Sequence, residues 1–190
     1  MSDSLKPAAY LMLGMLRLGV RSGYAIKKAA DVSTRFFWPT SLAQVYPELA
    51  RLERLGLAIR HEDPHGGRSR SAYEITDEGE EALRSWLRSE STAPVQFRDE
   101  GVLRLFFADA APGEDQLALV RRLRALAGLA EAQIREEIIP IADGLAAEGT
   151  GFPAIVARLG ADTYAFIAAR LDSIEDELEA GAAHGPADSA

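Results

Sequence analysis

Cysteine is absent from this 190-residue sequence, which removes both a disulfide framework and a thiolate metal site. Histidine is scarce. His61, His65 and His184 fall in a predicted strand, a turn and the tail, so no helix face gathers them as ligands. No glycine-rich loop is followed by Lys-Ser or Lys-Thr, and no nucleophile elbow occurs. The sequence therefore offers no catalytic residue, no metal ligand and no cofactor site, and an enzyme is the disfavoured class. Long apolar runs are missing too, so nothing spans a bilayer. The opening MSDSLKPAAYLMLGML lacks a basic leader and a cleavage site. These absences predict a cytoplasmic protein without a membrane partner.

What is present is an uneven distribution of charge. The chain carries a net −8, which by itself argues against nucleic acid. Residues 1–76, however, hold 11 Lys and Arg against 7 Asp and Glu, a net +4, while the remainder holds 10 against 22, a net −12. A basic half and an acidic half would orient the molecule on a polyanion.

The basic half centres on Thr40 to Tyr73, TSLAQVYPELARLERLGLAIRHEDPHGGRSRSAY. Leu42, Val45, Leu49, Leu52 and Leu55 recur at helical spacing and predict one apolar stripe. Thr40, Gln44, Tyr46, Pro47, Arg51 and Arg54 occupy the other face, and Thr40 or Ser41 is the N-cap. Pro47 removes one backbone donor and predicts a small bend; Gly56 stops the helix. Residues 57–61 and 71–75 then read as two short strands around an Asp63-Pro64-His65-Gly66-Gly67 turn, with Arg68 and Arg70 at the tip. A helix polar on one side, trailed by a basic hairpin, is a winged helix-turn-helix.

Upstream, residues 5–18 predict a first helix with Pro7 in its first turn and Leu11, Met12, Met15 and Leu18 on its apolar face. Ser22 caps a second helix over 23–34, with Ile26, Ala29, Ala30 and Ser33 inward and Tyr24, Lys27 and Lys28 outward. Those outward groups form a phosphate clamp or a solvated face. Phe36-Phe37-Trp38-Pro39 either wedges helices or subunits together or belongs to a flat aromatic pocket. In the third helix Thr40, Ser41, Gln44, Tyr46 and Arg51 lie nearest DNA. Gln44 is suited to an adenine edge. Arg51 suits a phosphate, or pairs with Glu48 within the helix. Arg68 or Arg70 is placed to enter a minor groove. Thr76 caps a fourth helix over 77–90 that buries Leu83, Trp86 and Leu87.

The stretch from Ala8 to Leu87 resembles the PadR family of transcriptional regulators. The resemblance is carried by Gly23-Tyr24-Ala25-Ile26, by Val45-Tyr46-Pro47-Glu48-Leu49 with Leu52-Glu53 and Leu55-Gly56-Leu57, and by Gly67-Arg68 with Tyr73 to Gly79. It implies a winged-helix domain, a homodimer, and operator binding that represses nearby genes. It also implies DNA contacts from Tyr24, Tyr46 and the wing-tip arginines.

The second half reads as helices. Residues 1–90 form the winged-helix domain, 91–99 a linker, 100–180 a helical dimerisation domain and 181–190 a disordered tail. A short, very apolar helix over 101–108 needs covering. One long helix runs from Glu114 to Ile139, where Pro140 bends or ends it. Another spans 154–180, with Ile155, Leu159, Phe166, Ile167, Leu171, Ile174 and Leu178 placed to pack against a second subunit. Asp172, Glu175, Asp176, Glu177 and Glu179 read as a solvated helix end. Arg98-Asp99-Glu100 followed by Leu103 to Asp109 resembles the virulence-activator-type C-terminal domain of a PadR subfamily, which implies dimerisation through embracing helices.

The fold expected is mainly α with a two-stranded β wing. The function expected is a homodimeric repressor that binds pseudo-palindromic double-stranded DNA. A small-molecule inducer would act near Trp38, Phe107 or Tyr164. The alternatives are an activator without a ligand and a protein-interaction module.

Overall fold

Four polar side chains set where helices begin. The protein is described by a computed structural model over residues 5–63, 70–90 and 98–183. Within it, Ser22 accepts from the Ala25 amide at 3.2 Å, Thr76 from Gly79 at 3.1 Å and Asp99 from Val102 at 3.0 Å. At Ser41 the direction is reversed: Gln44 Oε1 accepts from the Ser41 amide at 3.0 Å. Each satisfies a donor that a helix start leaves unpaired, worth about 1 kcal/mol apiece. The chain divides into two units, 1–94 and 95–190.

In the first unit α1 is Pro7–Arg17, α2 Gly23–Asp31, α3 Leu42–Arg54 and α4 Asp77–Arg88, with β1 Ala58–Asp63 and β2 Arg70–Ile75 between α3 and α4. The strands pair antiparallel from Ala58 opposite Ile75 to Asp63 opposite Arg70. This is the mainly helical winged helix expected. Helix α3 ends at Gly56, whose φ of +71° only glycine adopts cheaply. The Leu57 amide then reaches Leu52 O and the Gly56 amide reaches Glu53 O, closing the last turn. Helix α2 stops three residues earlier than expected; the Thr34 and Arg35 amides both turn back to Ala30 O. Pro47 lies inside α3, which continues through it as one element.

Met12, Leu13, Ile26, Val45, Leu49 and Leu52 make the core of this unit, with Ala58, Tyr73 and Leu83 closing it. Burying each large side chain is worth about 1.5–3 kcal/mol. The ends of the expected stripes fall outside: Leu18, Leu42 and Leu55 are exposed, because they sit at helix termini where the core has tapered away. Trp86 and Leu87 are exposed as well, correcting the expected buried stripe of α4. Trp86 stacks on Tyr10, ring centroids 4.6 Å apart and 7° from parallel.

In the second unit α5 is Glu100–Phe106, α6 Gly113–Gln133, α7 Ile139–Ala147 and α8 Phe152–Ala183. Pro140 does not end the helix before it. A π turn at Ile134–Ile138 joins α6 to α7. Its wider ring accommodates a residue that has no N–H and crowds the carbonyl four positions back. Helices α6 and α8 pack along their length. Val120, Ala127 and Ile134 are buried on one side of the seam, and Ala154, Ala157, Ala161 and Leu171 on the other. Glu175 is not solvated as expected: it is buried and meets Arg121 at 2.5 Å and Arg124 at 3.2 Å. Glu179 and Asp172 add a second carboxylate to each arginine. No helix among the described residues is long and apolar enough to cross a membrane.

Candidate nucleic-acid interface

Tyr24 opens α2 and Tyr46 sits one turn into α3; they are 66% and 50% exposed, although tyrosine carries enough apolar surface to favour burial. Their rings wall a pocket of about 480 Å³. Ser22 and Gly23 contribute its helical rim, and Arg60, Ser71 and Tyr73 its strand side. Gly23 is required at the rim. A Cβ there would stand 2.6 Å from Tyr46 Cε1, so only glycine lets that ring lie against the start of α2.

Ser41 and Gln44 are exposed on the same helix as Tyr46, and Thr40 is half-buried. The Gln44 oxygen is engaged by its own N-cap, so a two-point contact with adenine would have to share that acceptor. Arg51 is half-buried and pairs with Glu48 at 3.0 Å, the intrahelical alternative to a phosphate contact. Lys27 is half-buried and pairs with Asp31. Lys28 is exposed and makes no ion pair among the described residues. Arg68 lies outside the described residues, as do Gly66-Gly67, most of the linker and residues 184–190, while 181–183, expected in the tail, end α8; of Arg70 only the backbone is placed, opposite Asp63. Trp38 falls in the first unit and is exposed, whereas Phe107, also exposed, and Tyr164, half-buried, fall in the second.

Residues 12–85 match the Transcriptional regulator PadR-like family. The chain carries a PadR-like domain. It is 32% identical over 99 residues to the "Negative transcriptional regulator PadR" of Bacillus subtilis, a match covering 52% of this chain and about half, 54%, of that relative's length. The fold extends further. The crystal structure of B. subtilis PadR in complex with operator DNA superposes with a TM-score of 0.78 at 22% identity, covering 91% of this chain and 99% of that one. The same protein with p-coumaric acid gives 0.68 at 20% identity, covering 93% and 99%. The Vibrio cholerae virulence activator AphA gives 0.67 at 23% identity, covering 91% and 98%. The family is one of transcriptional regulators, in line with the absence of enzymatic motifs.

Two features of the PadR-like domain escaped the sequence reading. His61-Glu62-Asp63-Pro64-His65 has the letters of a zincin motif, which works only on a helix, where both histidines share a face. Here His61 lies in β1, 3.5 Å from Glu74, and His65 is outside the described residues. No cluster of potential metal ligands occurs among the described residues. The second feature is the strand side of the pocket. Arg60 stands directly opposite Tyr73 across the β ladder. The arginines at the turn are marked by the glycines beside them, whereas this one, inside a strand, is marked only by cross-strand pairing at period two.

Burial raises the Tyr73 hydroxyl above its ordinary pKa, and the nearby Arg60 charge offsets part of the rise. The raised folded value means stability is fully present below the unfolded pKa near 10 and is lost as pH climbs through the folded one. In an alkaline titration followed by tyrosinate absorbance, Tyr73 should ionise above the ordinary tyrosine range, and Tyr73→Phe should abolish that late phase. A late phase surviving in Tyr73→Phe would refute the assignment.

Proposed function

We propose that the protein is a homodimeric transcriptional repressor whose two winged helices read a pseudo-palindromic operator and whose grip is released by a small molecule. The observation that carries this reading is the polar, tyrosine-edged side of α3, left open to solvent on the basic half of the chain. A third helix with such a face enters a major groove, and a two-fold pair spaced about 34 Å apart meets successive turns of one side of the duplex. Tyr24, Thr40, Ser41, Gln44 and Tyr46 are the contacts, with Lys28 on backbone phosphate and the wing arginines Arg68 and Arg70 reaching the flanking groove. The B. subtilis relative, named a negative regulator and solved with operator DNA and with p-coumaric acid, supports repression and the binding of a small aromatic acid. A ligand acts by favouring one dimer geometry over another.

The dimer rests on the second unit. Ile155, Leu159 and Phe166 are 58%, 64% and 71% exposed on one side of α8, and Ile167, Ile174 and Leu178 are half-buried. Leu171 is taken up inside the unit, in phase with Glu175 on the α6 side. Helix α5, expected to need covering, has no buried residue. An apolar surface of that extent marks an interface.

Gel-shift titration of the intergenic DNA beside the gene tests the reading. Wild-type protein should bind with affinity that falls steeply with salt. Tyr46→Ala should weaken binding by roughly tenfold to a hundredfold, since a specific contact is worth about 1–3 kcal/mol, and should leave the dimer intact by light scattering. Salt-independent retention would point instead to a protein-interaction module, and a monomeric Tyr46→Ala would sink the site assignment.

A further inference from the structure

We infer that the pocket between α2, α3 and the wing seats one phosphodiester of the DNA backbone, and that Arg60 of β1 is its principal cation. The inference rests on the DNA-binding reading and extends it to a cation that neither the recognition helix nor the wing tip supplies.

The first argument is a census of cations. In this acidic chain most described arginines hold a carboxylate: in the first unit Arg17 pairs with Glu80, Arg21 with Glu74 and Arg51 with Glu48. Arg60 makes no ion pair or hydrogen bond among the described residues, and it is exposed at the border of a partly open, tyrosine-walled space. The nearest strand carboxylate, Glu74, projects from the opposite face of the ladder, where Arg21 and His61 occupy it. Glu62 stands two residues along the same face as Arg60 and pairs with nothing among the described residues. A cation kept unpaired beside a cavity is available for an anion that arrives from outside.

The second argument is the opposite wall. The first turn of α2 presents amides, at Gly23 and Tyr24, that have no intrahelical acceptor. It also contains no acidic residue, whereas the first turn of α4 holds Asp77, Glu78 and Glu80. The positive end of the α2 dipole is therefore uncompensated by its own sequence. The Tyr24, Tyr46 and Ser71 hydroxyls add neutral donors around the same space. Amides on one side, a guanidinium fork on the other and hydroxyls between are donors; no carboxylate lines the space, and the nearest charges of the opposite sign are Glu53, which acts on the Tyr73 hydroxyl, and Glu62 along the strand. That set suits the two non-bridging oxygens of a phosphodiester. A base edge, which mixes donors and acceptors, suits it less well.

A phosphate held there carries no sequence information. It would anchor α2 and the wing to the same strand and so set the angle at which α3 enters the groove. Arg60 is thus a positioning contact, and its removal should weaken all duplexes alike.

The test uses full-length Arg60→Gln and Arg60→Lys, titrated against a duplex from the gene's own upstream region and a scrambled duplex across a range of salt. Arg60→Gln should lose about tenfold on both duplexes, and the slope of log affinity against log salt should fall by about 0.9. Arg60→Lys should keep the slope and recover part of the affinity, because it keeps the charge and loses the fork. Thermal melting and light scattering should match wild type for both variants. Unchanged affinity and slope in Arg60→Gln, or a loss confined to the upstream duplex, overturns the phosphate seat while the DNA reading stands. Wild-type protein that binds neither duplex overturns both.

Discussion

Leu159→Glu combined with Phe166→Glu should convert the proposed homodimer to a monomer and abolish measurable binding to the proposed operator. Helix α8 has two apolar sides. With each residue advancing about 100°, Ala154, Ala157, Ala161 and Leu171 cluster on one side and are buried against the unit's own helices, while Ile155, Leu159 and Phe166 cluster roughly half a turn away and are open. Leu126 and Leu129 of α6 are exposed too, as are Val102, Leu103 and Phe106 of α5. Covering one such side chain stabilises by about 1.5–3 kcal/mol, and an ion forced into its place costs more. Two sites on each of two chains multiply that loss, so the dimer constant should weaken by at least about a thousandfold. Operator binding follows, because a lone winged helix loses the effective concentration that its partner supplied. The wild-type mass in light scattering, retained by the double variant at micromolar concentration, would overturn the proposed pairing through this side of α8.

That two-sidedness explains what could be read from the sequence and what could not. Ser22, Gly56 and Thr76 act on backbone groups three to five residues away; signals so local survive in the sequence, and the ends they mark came out within a residue or two. The stripe on α8 was also legible, but periodicity says only that a side is apolar. It cannot say whether the neighbour covering it is α6 or another chain, and Leu171 and the open Leu159 therefore looked alike. Of the two outcomes open at Pro140, a bend or an end, the sequence could not choose, because a proline's effect depends on whether the preceding turn can widen, as Ile134–Ile138 does. The pocket was half legible. Tyr24 and Tyr46 lie on helices whose faces the pattern assigns, whereas Arg60 reaches the same space only through the strand register that puts it beside Tyr73.

Gly79→Ala should be strongly destabilising and Gly14→Ala stabilising, although both replace a helical glycine with the best helix former. Propensity alone favours each change by about 1 kcal/mol. At Gly14, in α1, an added Cβ meets nothing within 4 Å, so that gain should appear undiminished. At Gly79 it would stand 2.2 Å from the Leu57 carbonyl oxygen and 2.8 Å from Ile75 Cγ1. Leu57 O is backbone and already accepts from the Thr76 amide at 3.2 Å, while the Thr76 hydroxyl donates to Gly56 O at 2.7 Å. The start of α4 is thus stitched to the end of α3 and the root of the wing, and it can move only by breaking those bonds along with its own cap. Overpacking of about 1–3 kcal/mol plus a lost cap of about 1 kcal/mol outweighs the propensity gain. The winged-helix transition should therefore fall by roughly 10 °C in Gly79→Ala and rise by a few degrees in Gly14→Ala. A Gly79→Ala protein that melts at or above the wild-type temperature would mean that α4 does not approach the strands this closely. The wing would then lose the anchor that holds Arg60 and Tyr73 opposite α2.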